Sequence, residues 1–335
     1  MKRRWLTPIN ATIIGALIAV GMVAVSTTSA QAATNNFRGV NWADQGDNFQ
    51  SGTLVLGGLS TSDSYATTQS KAHAIFSGFE NNLGANTVRM PVNPATVSGS
   101  YWNSYTGAID EATSMGMKVI LSYWDKQEAN DGVVDNLTQF WSMWQTIVSK
   151  YSGNGDVYFE PMNEPYGYSA TAWKNLAAQW LSNYPSVPKG RIVISGTGYN
   201  QGLTTIGSDS RFNGTLISRH IYEFFDTSLT TEAQWQSALT NSVGSYASRV
   251  IVDEWGAPMT DGRNYDASST SDKFVSYIRG IATACRSLGL GTVYWPGVRP
   301  GDVYRLQNIN GTGTSISLST TNSSGRDQLR RSWGL

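Results

Sequence analysis

The sequence predicts an α/β fold, a single-domain (β/α)8 TIM barrel, on three observations. Short β-branched runs alternate with longer stretches of helical periodicity along the chain. The runs number eight, with onsets a few tens of residues apart, as strand–loop–helix–loop units require. No GxGxxG follows the first run and no Walker sequence occurs, so an open nucleotide-binding sheet lacks its signatures.

In order, the strands are expected at 37–42, 87–90, 118–122, 157–160, 191–195, 216–220, 250–253 and 292–295. Helices are expected at 70–83, 101–115, 137–151, 170–182, 231–246 and 271–288, with a last one at 326–333 closing the chain. The segment after the fifth strand is too short to place a helix. Asn310-Gly311-Thr312-Gly313, between 304–309 and 314–318, reads as a small β-hairpin inserted after strand 8. No Pro/Ser/Thr-rich hinge or abrupt change of composition divides residues 33–335.

Residues 1–32 read as a signal peptide. Lys2, Arg3 and Arg4 precede a 15-residue apolar run over 11–25, and Ala30-Gln31-Ala32 supplies the small-x-small cleavage pattern before Ala33. Fifteen apolar residues are too few to span a hydrocarbon core of about 30 Å. A secreted protein without a membrane partner after cleavage is therefore expected.

Composition narrows the partners. The chain has 335 residues, 40% hydrophobic, 11% aromatic and only 14% charged, the reverse of a disordered chain. Its 24 basic residues balance 24 acidic ones, and removal of the basic leader leaves a slight acidic excess. Nucleic acid and anionic membrane are thereby disfavoured as partners. The one cysteine, Cys285, excludes an intrachain disulfide and reads as a small buried hydrophobe. With only His73 and His220, no His/Cys zinc site and no HExxH is expected, and no cofactor is required. His73, on the first helix, reads as structural.

The chemistry falls to carboxylates, aromatics, amides and arginine. In a barrel, the loops at the carboxyl ends of the strands build the active site. Glu164 follows the fourth strand in Phe159-Glu160-Pro161-Met162-Asn163-Glu164-Pro165, and Glu254 ends the seventh in Ile251-Val252-Asp253-Glu254-Trp255-Gly256. Two such residues can face each other across the axis. One carboxyl can then deliver a proton to a glycosidic oxygen while the other meets the charge developing at the anomeric carbon. Pro165 is expected to hold Glu164 extended, and Asn163 offers an amide to a sugar hydroxyl. A glutamate at a strand end is more often a surface charge; the pairing of two raises the catalytic reading.

Asn163-Glu164-Pro165 and Glu254-Trp255-Gly256 resemble the signatures of glycoside hydrolase family 5, retaining (β/α)8 enzymes that include cellulases and mannanases. The resemblance runs through residues 33–335. It implies that Glu164 is the acid/base and Glu254 the nucleophile. It also matches Arg89 in Asn86-Thr87-Val88-Arg89-Met90-Pro91, His220-Ile221-Tyr222 after the sixth strand, and Trp295 at the end of the eighth. The resemblance assigns Arg89 and Tyr222 to hydrogen bonds with the nucleophile. It implies a (β/α)8 catalytic domain over 33–335 and a neutral, β-linked poly- or oligosaccharide as partner. One departure stands out. The family places a histidine after the third strand, whereas this chain has Ser122-Tyr123-Trp124-Asp125, so Trp124 or Asp125 is expected to take over sugar contact.

Aromatic residues at the strand ends, Trp42, Trp124, Tyr166, Tyr168, Trp255 and Trp295, are expected to stack on sugar rings. Trp141, Trp144, Trp173, Trp180 and Trp235, at helical positions, read as packing. Asn41, Asp44, Gln45, Asp47 and Asn48 form a polar loop suited to a subsite wall. Arg299 and Asp302 follow the eighth strand and either contact substrate or do not. Asp125, Glu128, Asp131 and Asp135 match no EF-hand spacing and read as solvated loop charges, so no metal is expected. Asn213-Gly214-Thr215 is a glycosylation sequon. The expected protein is a monomeric, secreted, retaining glycoside hydrolase. A catalytically dead carbohydrate-binding barrel and a transglycosylase using the same carboxylates remain the alternatives.

Overall fold

Eight parallel strands form the centre of the computed structural model: β1 Arg38–Trp42, β2 Thr87–Val92, β3 Lys118–Tyr123, β4 Val157–Glu160, β5 Val193–Ser195, β6 Leu216–His220, β7 Val250–Glu254 and β8 Gly291–Val298. They pair in the order β4-β3-β2-β1-β8-β7-β6-β5. A single parallel bridge, Phe159 to Ile192, joins the two remaining edges and closes the (β/α)8 barrel. The structure describes residues 34–44, 46–47, 50–124, 131–268 and 271–335. The expected leader and Gln45, Asn48, Asp125 and Glu128 lie outside the described residues.

The helices are α1 Tyr65–Leu83, α2 Pro94–Ser98, α3 Trp102–Ser114, α4 Leu137–Tyr151, α5 Ala170–Asn183, α6 Thr197–Asn200, α7 Leu203–Gly207, α8 Glu232–Val243, α9 Lys273–Leu288 and α10 Ser323–Ser332. Their ends follow from local chemistry. Ser64 caps α1 by accepting from the Thr67 N–H, and Gly84, at φ 80°, ends it in the left-handed region. Helix α1 thus starts five residues before its expected onset, because Tyr65-Ala66-Thr67-Thr68 shows no apolar period and is specified by the cap. Thr231 and Gln234 form a capping box at α8. Asp272 accepts from the Phe274 and Val275 N–H groups at the start of α9.

Strands buried on both faces read as continuous apolar runs, which is why most of the expected strands agree with the observed ones to within a residue or two. Phe37, Ile120, Val193, Leu216, Ile251 and Val293 fill one layer of the barrel interior. The outer strand faces pack against the helices, where Trp144, Trp173, Trp180 and Trp235 are buried as packing residues. Cys285 is also buried, on α9.

The C-terminal hairpin differs from expectation in register. Its strands, β9 Gln307–Thr312 and β10 Ser315–Thr320, pair antiparallel with Ser315 opposite Thr312. The turn is Gly313-Thr314, and Asn310-Gly311 lies inside β9. Gly313, at φ 60°, supplies the left-handed residue that a two-residue loop needs.

Candidate active site

A polar layer lies at the carboxyl ends of the strands. Arg89 on β2, Glu160 at the end of β4 and Asp253 on β7 are fully buried. Arg89 is the hub. Its Nε and Nη2 donate to the two carboxylate oxygens of Glu160 at 2.7 and 3.0 Å. Its Nη1 donates to Asn41 Oδ1 at 3.0 Å and Glu254 Oε2 at 3.1 Å, and its Nη2 donates to Asn163 Oδ1 at 2.6 Å. One guanidinium thereby orients residues from β1, β4 and β7 and the loop after β4, in a fork geometry that lysine could not reproduce.

Glu254 is the last residue of β7 and has 9% of its side chain exposed. Tyr222 donates its hydroxyl proton to Glu254 Oε1 at 2.8 Å, so both oxygens of this carboxylate accept. Burial pushes the Glu254 pKa up and Glu164 adds to the rise, while Arg89 and the Tyr222 hydroxyl pull it back.

Glu164 lies four residues beyond β4, on the loop. Here the expectation of an extended backbone is corrected: Glu164 has φ 44°, in the left-handed region. Such a conformation costs a non-glycine residue about 1–3 kcal/mol and persists only where the surroundings over-determine it. The clamps are visible. The Asn163 N–H donates to Tyr123 O at 2.8 Å, the Glu164 N–H to Asn200 Oδ1 at 3.1 Å, and the Tyr166 N–H to Glu164 O at 2.7 Å. Ser195 Oγ also donates to Met162 O. Tertiary contacts win over the local preference imposed by Pro165.

Asn200 had no signal in the sequence. It belongs to the short segment after β5, is fully buried, and itself has φ 52°. A backbone N–H can only donate, so Asn200 Oδ1 accepts from Glu164 and its Nδ2 faces the other way. That Nδ2 lies 2.5 Å from Ser218 Oγ and 3.2 Å from His220 Nε2. Nε2 is therefore the acceptor, and the imidazole proton sits on Nδ1, 2.8 Å from Glu164 Oε1. Burial lowers the His220 pKa to about 4, which keeps the ring neutral.

Glu164 contrasts with Glu254. Burial lifts its pKa to about 7, with Arg89 opposing and Glu160 adding to the rise. Only a neutral imidazole touches its carboxyl, whereas Glu254 faces a guanidinium and a phenol. Two close carboxyls do not both ionise cheaply. The proton therefore stays on Glu164, and because Oε1 accepts from His220, Oε2 is left to carry it.

Glu164, His220 and Glu254 bring carboxylate and imidazole atoms within 4.8 Å of one another. These three could also offer ligands to a cation, but the Arg89 guanidinium, 3.1 Å from Glu254, already supplies the positive charge.

The other expected residues divide. Trp295, 7% exposed, lines the cleft and packs at 5.2 Å between ring centroids against Trp124, 2% exposed, beside Tyr222. Trp124 thus occupies the place after β3 where the family histidine is absent. Trp42 and Trp255 do not reach the cleft: both are 0% exposed. Alternation along the strand turns Trp42 outward onto Phe76 of α1, its Nε1 donating to Gly57 O, while Trp255 packs edge-on to Tyr294. Asn41, expected in a subsite wall, instead joins the Arg89 network. Arg299 ion-pairs with Asp47 at 3.0 Å and Asp302 at 2.5 Å and lies over the Trp295 ring. His73 is exposed and contacts Glu111. Asp131 and Asp135 are exposed.

Arg89→Met is expected to be severe, because it leaves Glu160, Asp253 and Glu254 without their cation in a buried layer. Removing one partner of such a cluster costs about 3–5 kcal/mol. Thermal unfolding should show a Tm lower by roughly 6–10 °C; an unchanged Tm would refute the role of Arg89 as hub.

The cleft above the carboxyls has a volume of about 490 Å³ and is lined by Glu164, Glu254, Trp295, Tyr222, Tyr199, Phe224, Phe225, Asp302, Val303 and Tyr304. A second groove of about 660 Å³ runs past Trp124 between α2 and α4.

The comparisons agree with this architecture. A family model described as cellulase (glycosyl hydrolase family 5) matches residues 44–296. No curated protein matches the chain. Among solved structures, a triple variant of the endo-β-1,4-glucanase from Xanthomonas axonopodis pv. citri is 16% identical with a TM-score of 0.57, covering 88% of this chain and 98% of its own. The endocellulase from Pyrococcus horikoshii, solved with cellotetraose, is 13% identical with a TM-score of 0.63, over 89% and 92%. A cellulase of the same family from an Icelandic hot spring isolate is 15% identical with a TM-score of 0.55, over 78% and 84%. At these identities the structures speak for the shared fold. The family model, which spans most of the sequence, makes the chain a glycoside hydrolase belonging to glycosyl hydrolase family 5.

Proposed function

We propose that the protein is a secreted, retaining hydrolase of neutral β-linked poly- or oligosaccharides, in which Glu164 is the acid/base and Glu254 the nucleophile. The leader 1–32 is removed and 33–335 is the catalytic domain. The observation that carries the reading is the pair of carboxyl oxygens within 4.8 Å. Retaining glycosidases hold the two carboxyls about 5–5.5 Å apart, whereas inverting enzymes leave room for a water at about 6.5–9.5 Å.

The steps follow from the protonation states. Glu164 Oε2 gives its proton to the glycosidic oxygen as the bond to the anomeric carbon breaks. The Glu254 carboxylate attacks that carbon and forms an ester, and the leaving group departs as a neutral alcohol. Esterification removes the Glu254 charge, so Glu164, now a carboxylate, can take a proton from water. The water oxygen attacks the same carbon, the ester bond breaks, and both carboxyls return to their first state. Two displacements retain configuration. Arg89 and Tyr222 hold the nucleophile, Asn163 faces a sugar hydroxyl, and Trp295, packed against Trp124, lines the sugar pocket.

The test is hydrolysis of a panel of β-glucans, mannans, xylans and galactans with product sizing, and NMR of the first-formed anomer. A β product from a β substrate is expected; an α product rejects double displacement. Transglycosylation would appear as lengthened products at high acceptor concentration. Sugar binding without turnover across the panel would favour the dead barrel.

A further inference from the structure

Five large hydrophobic side chains stand exposed among the described residues, and three of them line the one cleft above the carboxyls. They are Tyr199 at 44%, Phe224 at 56% and Val303 at 53%. Scattered exposed apolar residues are ordinary, but convergence on a catalytic cleft is a mark of binding.

The rings are ordered. Tyr166 stacks on Tyr199 at 4.4 Å and 16°, Tyr199 meets Phe225 at 6.1 Å, and Phe225 stands edge-on to Tyr222 and Phe224. Phe224 in turn stacks flat on Tyr222 at 4.9 Å and 14°. The rings of the arc come from the loops after β4, β5 and β6, beginning at the proton donor, and Val303 joins them from the loop after β8. Tyr166 donates its backbone N–H to Glu164 O, and Tyr199 precedes the Asn200 that fixes the Glu164 backbone. Whatever is attached to the oxygen that Glu164 protonates must lie on this side.

The chemistry of the arc differs from that of a sugar subsite. A sugar ring has one apolar face, but its edge is ringed with hydroxyls, so its subsite needs polar groups beside the aromatic plane. Phe224, Phe225 and Val303 carry no polar side-chain atom, and the Tyr199 hydroxyl is the one polar side-chain group among these four residues. Besides Glu164 and Glu254, the cleft is lined by the carboxylate of Asp302, which already accepts from Arg299 and the Tyr304 N–H.

We propose that the arc formed by Tyr199, Phe224, Phe225 and Val303 is a leaving-group site for an apolar aglycone, so that the enzyme prefers β-glycosides of hydrophobic alcohols to a further sugar at that position. The proposal rests on the assignment of Glu164 as proton donor.

Methyl, hexyl and octyl β-glycosides of glucose, mannose, galactose and xylose test it, because alcohol acidity barely changes along each series while apolar area grows. For the accepted glycone, kcat/KM is expected to rise at least tenfold from methyl to octyl, and Phe224→Ala should bring the octyl-to-methyl ratio down severalfold. A flat series, or a disaccharide of the same glycone cleaved more efficiently than the octyl glycoside, overturns the proposal. Dinitrophenyl 2-deoxy-2-fluoroglycosides separate the two readings, since they glycosylate the nucleophile, with dinitrophenolate leaving, without needing the arc. Labelling of Glu254 with a flat alkyl series rejects the aglycone site and leaves the hydrolase standing. Absence of both labelling and hydrolysis rejects the two together.

Discussion

Glu254→Ala is expected to lower kcat by on the order of 10⁴-fold or more, because no other group can form the covalent ester. The nearest carboxyl, Glu164, is held by His220 and keeps its proton. Glu160 and Asp253 are sealed in the layer beneath, and Asp302, on the cleft wall, is held by Arg299. The truncation leaves a small space beside Arg89 Nη1 and the Tyr222 hydroxyl, two donors that suit an anion. Added azide should enter that space, restore turnover on activated substrates and give a glycosyl azide of inverted configuration. Since the wild-type carboxylate is raised in pKa by burial and by Glu164, its loss should not lower the Tm. Residual activity above a tenth of wild type, or rescue products of retained configuration, would remove Glu254 from the nucleophile's role.

Glu164→Gln is expected to lower kcat/KM for alkyl glycosides by about 10²–10⁴-fold. The amide preserves the shape and can keep the contact with His220, but it has no proton to give a poor leaving group. Dinitrophenyl glycosides, whose leaving group departs without a proton, should be spared in the first step and slowed in the second. The pH profile supplies an independent measurement. With the Glu164 pKa lifted to about 7, the acid is protonated below that value, so wild-type kcat/KM should fall as pH rises through about 7. The variant should lack that alkaline limb. An unchanged limb in Glu164→Gln would show that another group controls it.

The same pair has a linked effect on stability. Folded Glu164 holds its proton up to about pH 7, above its ordinary 4.5, so its contribution declines as pH rises across that interval. His220, lowered from 6.5 to about 4, is neutral in the fold where the unfolded ring is charged, so its contribution increases as pH rises from 4 to 6.5. The opposite slopes offset each other over the shared range.

The barrel was legible because its determinants are local. Runs such as Val119-Ile120-Leu121 are continuous and apolar, a pattern that any parallel strand covered on both faces must show. Glu164 and Glu254 were legible because each sits in a short motif at a strand end, where barrel loops gather. Trp42 and Trp255 were misread for a complementary reason. They occupy strand ends like Trp295, but a one-residue difference in strand phase turns a side chain from the cleft to the helices. Asn310-Gly311 carried a turn signal, yet pairing of Ser315 with Thr312 placed the turn at Gly313.

By itself, then, the amino-acid order determined the eight-strand barrel, the two acidic residues at its rim and the expectation of an exported chain. Only the tertiary structure decided the left-handed backbone at Glu164, the part played by Asn200 and the apolar arc beside them. Each of these depends on side chains brought together from loops far apart in the chain, and an interaction between distant segments leaves no periodicity within either one.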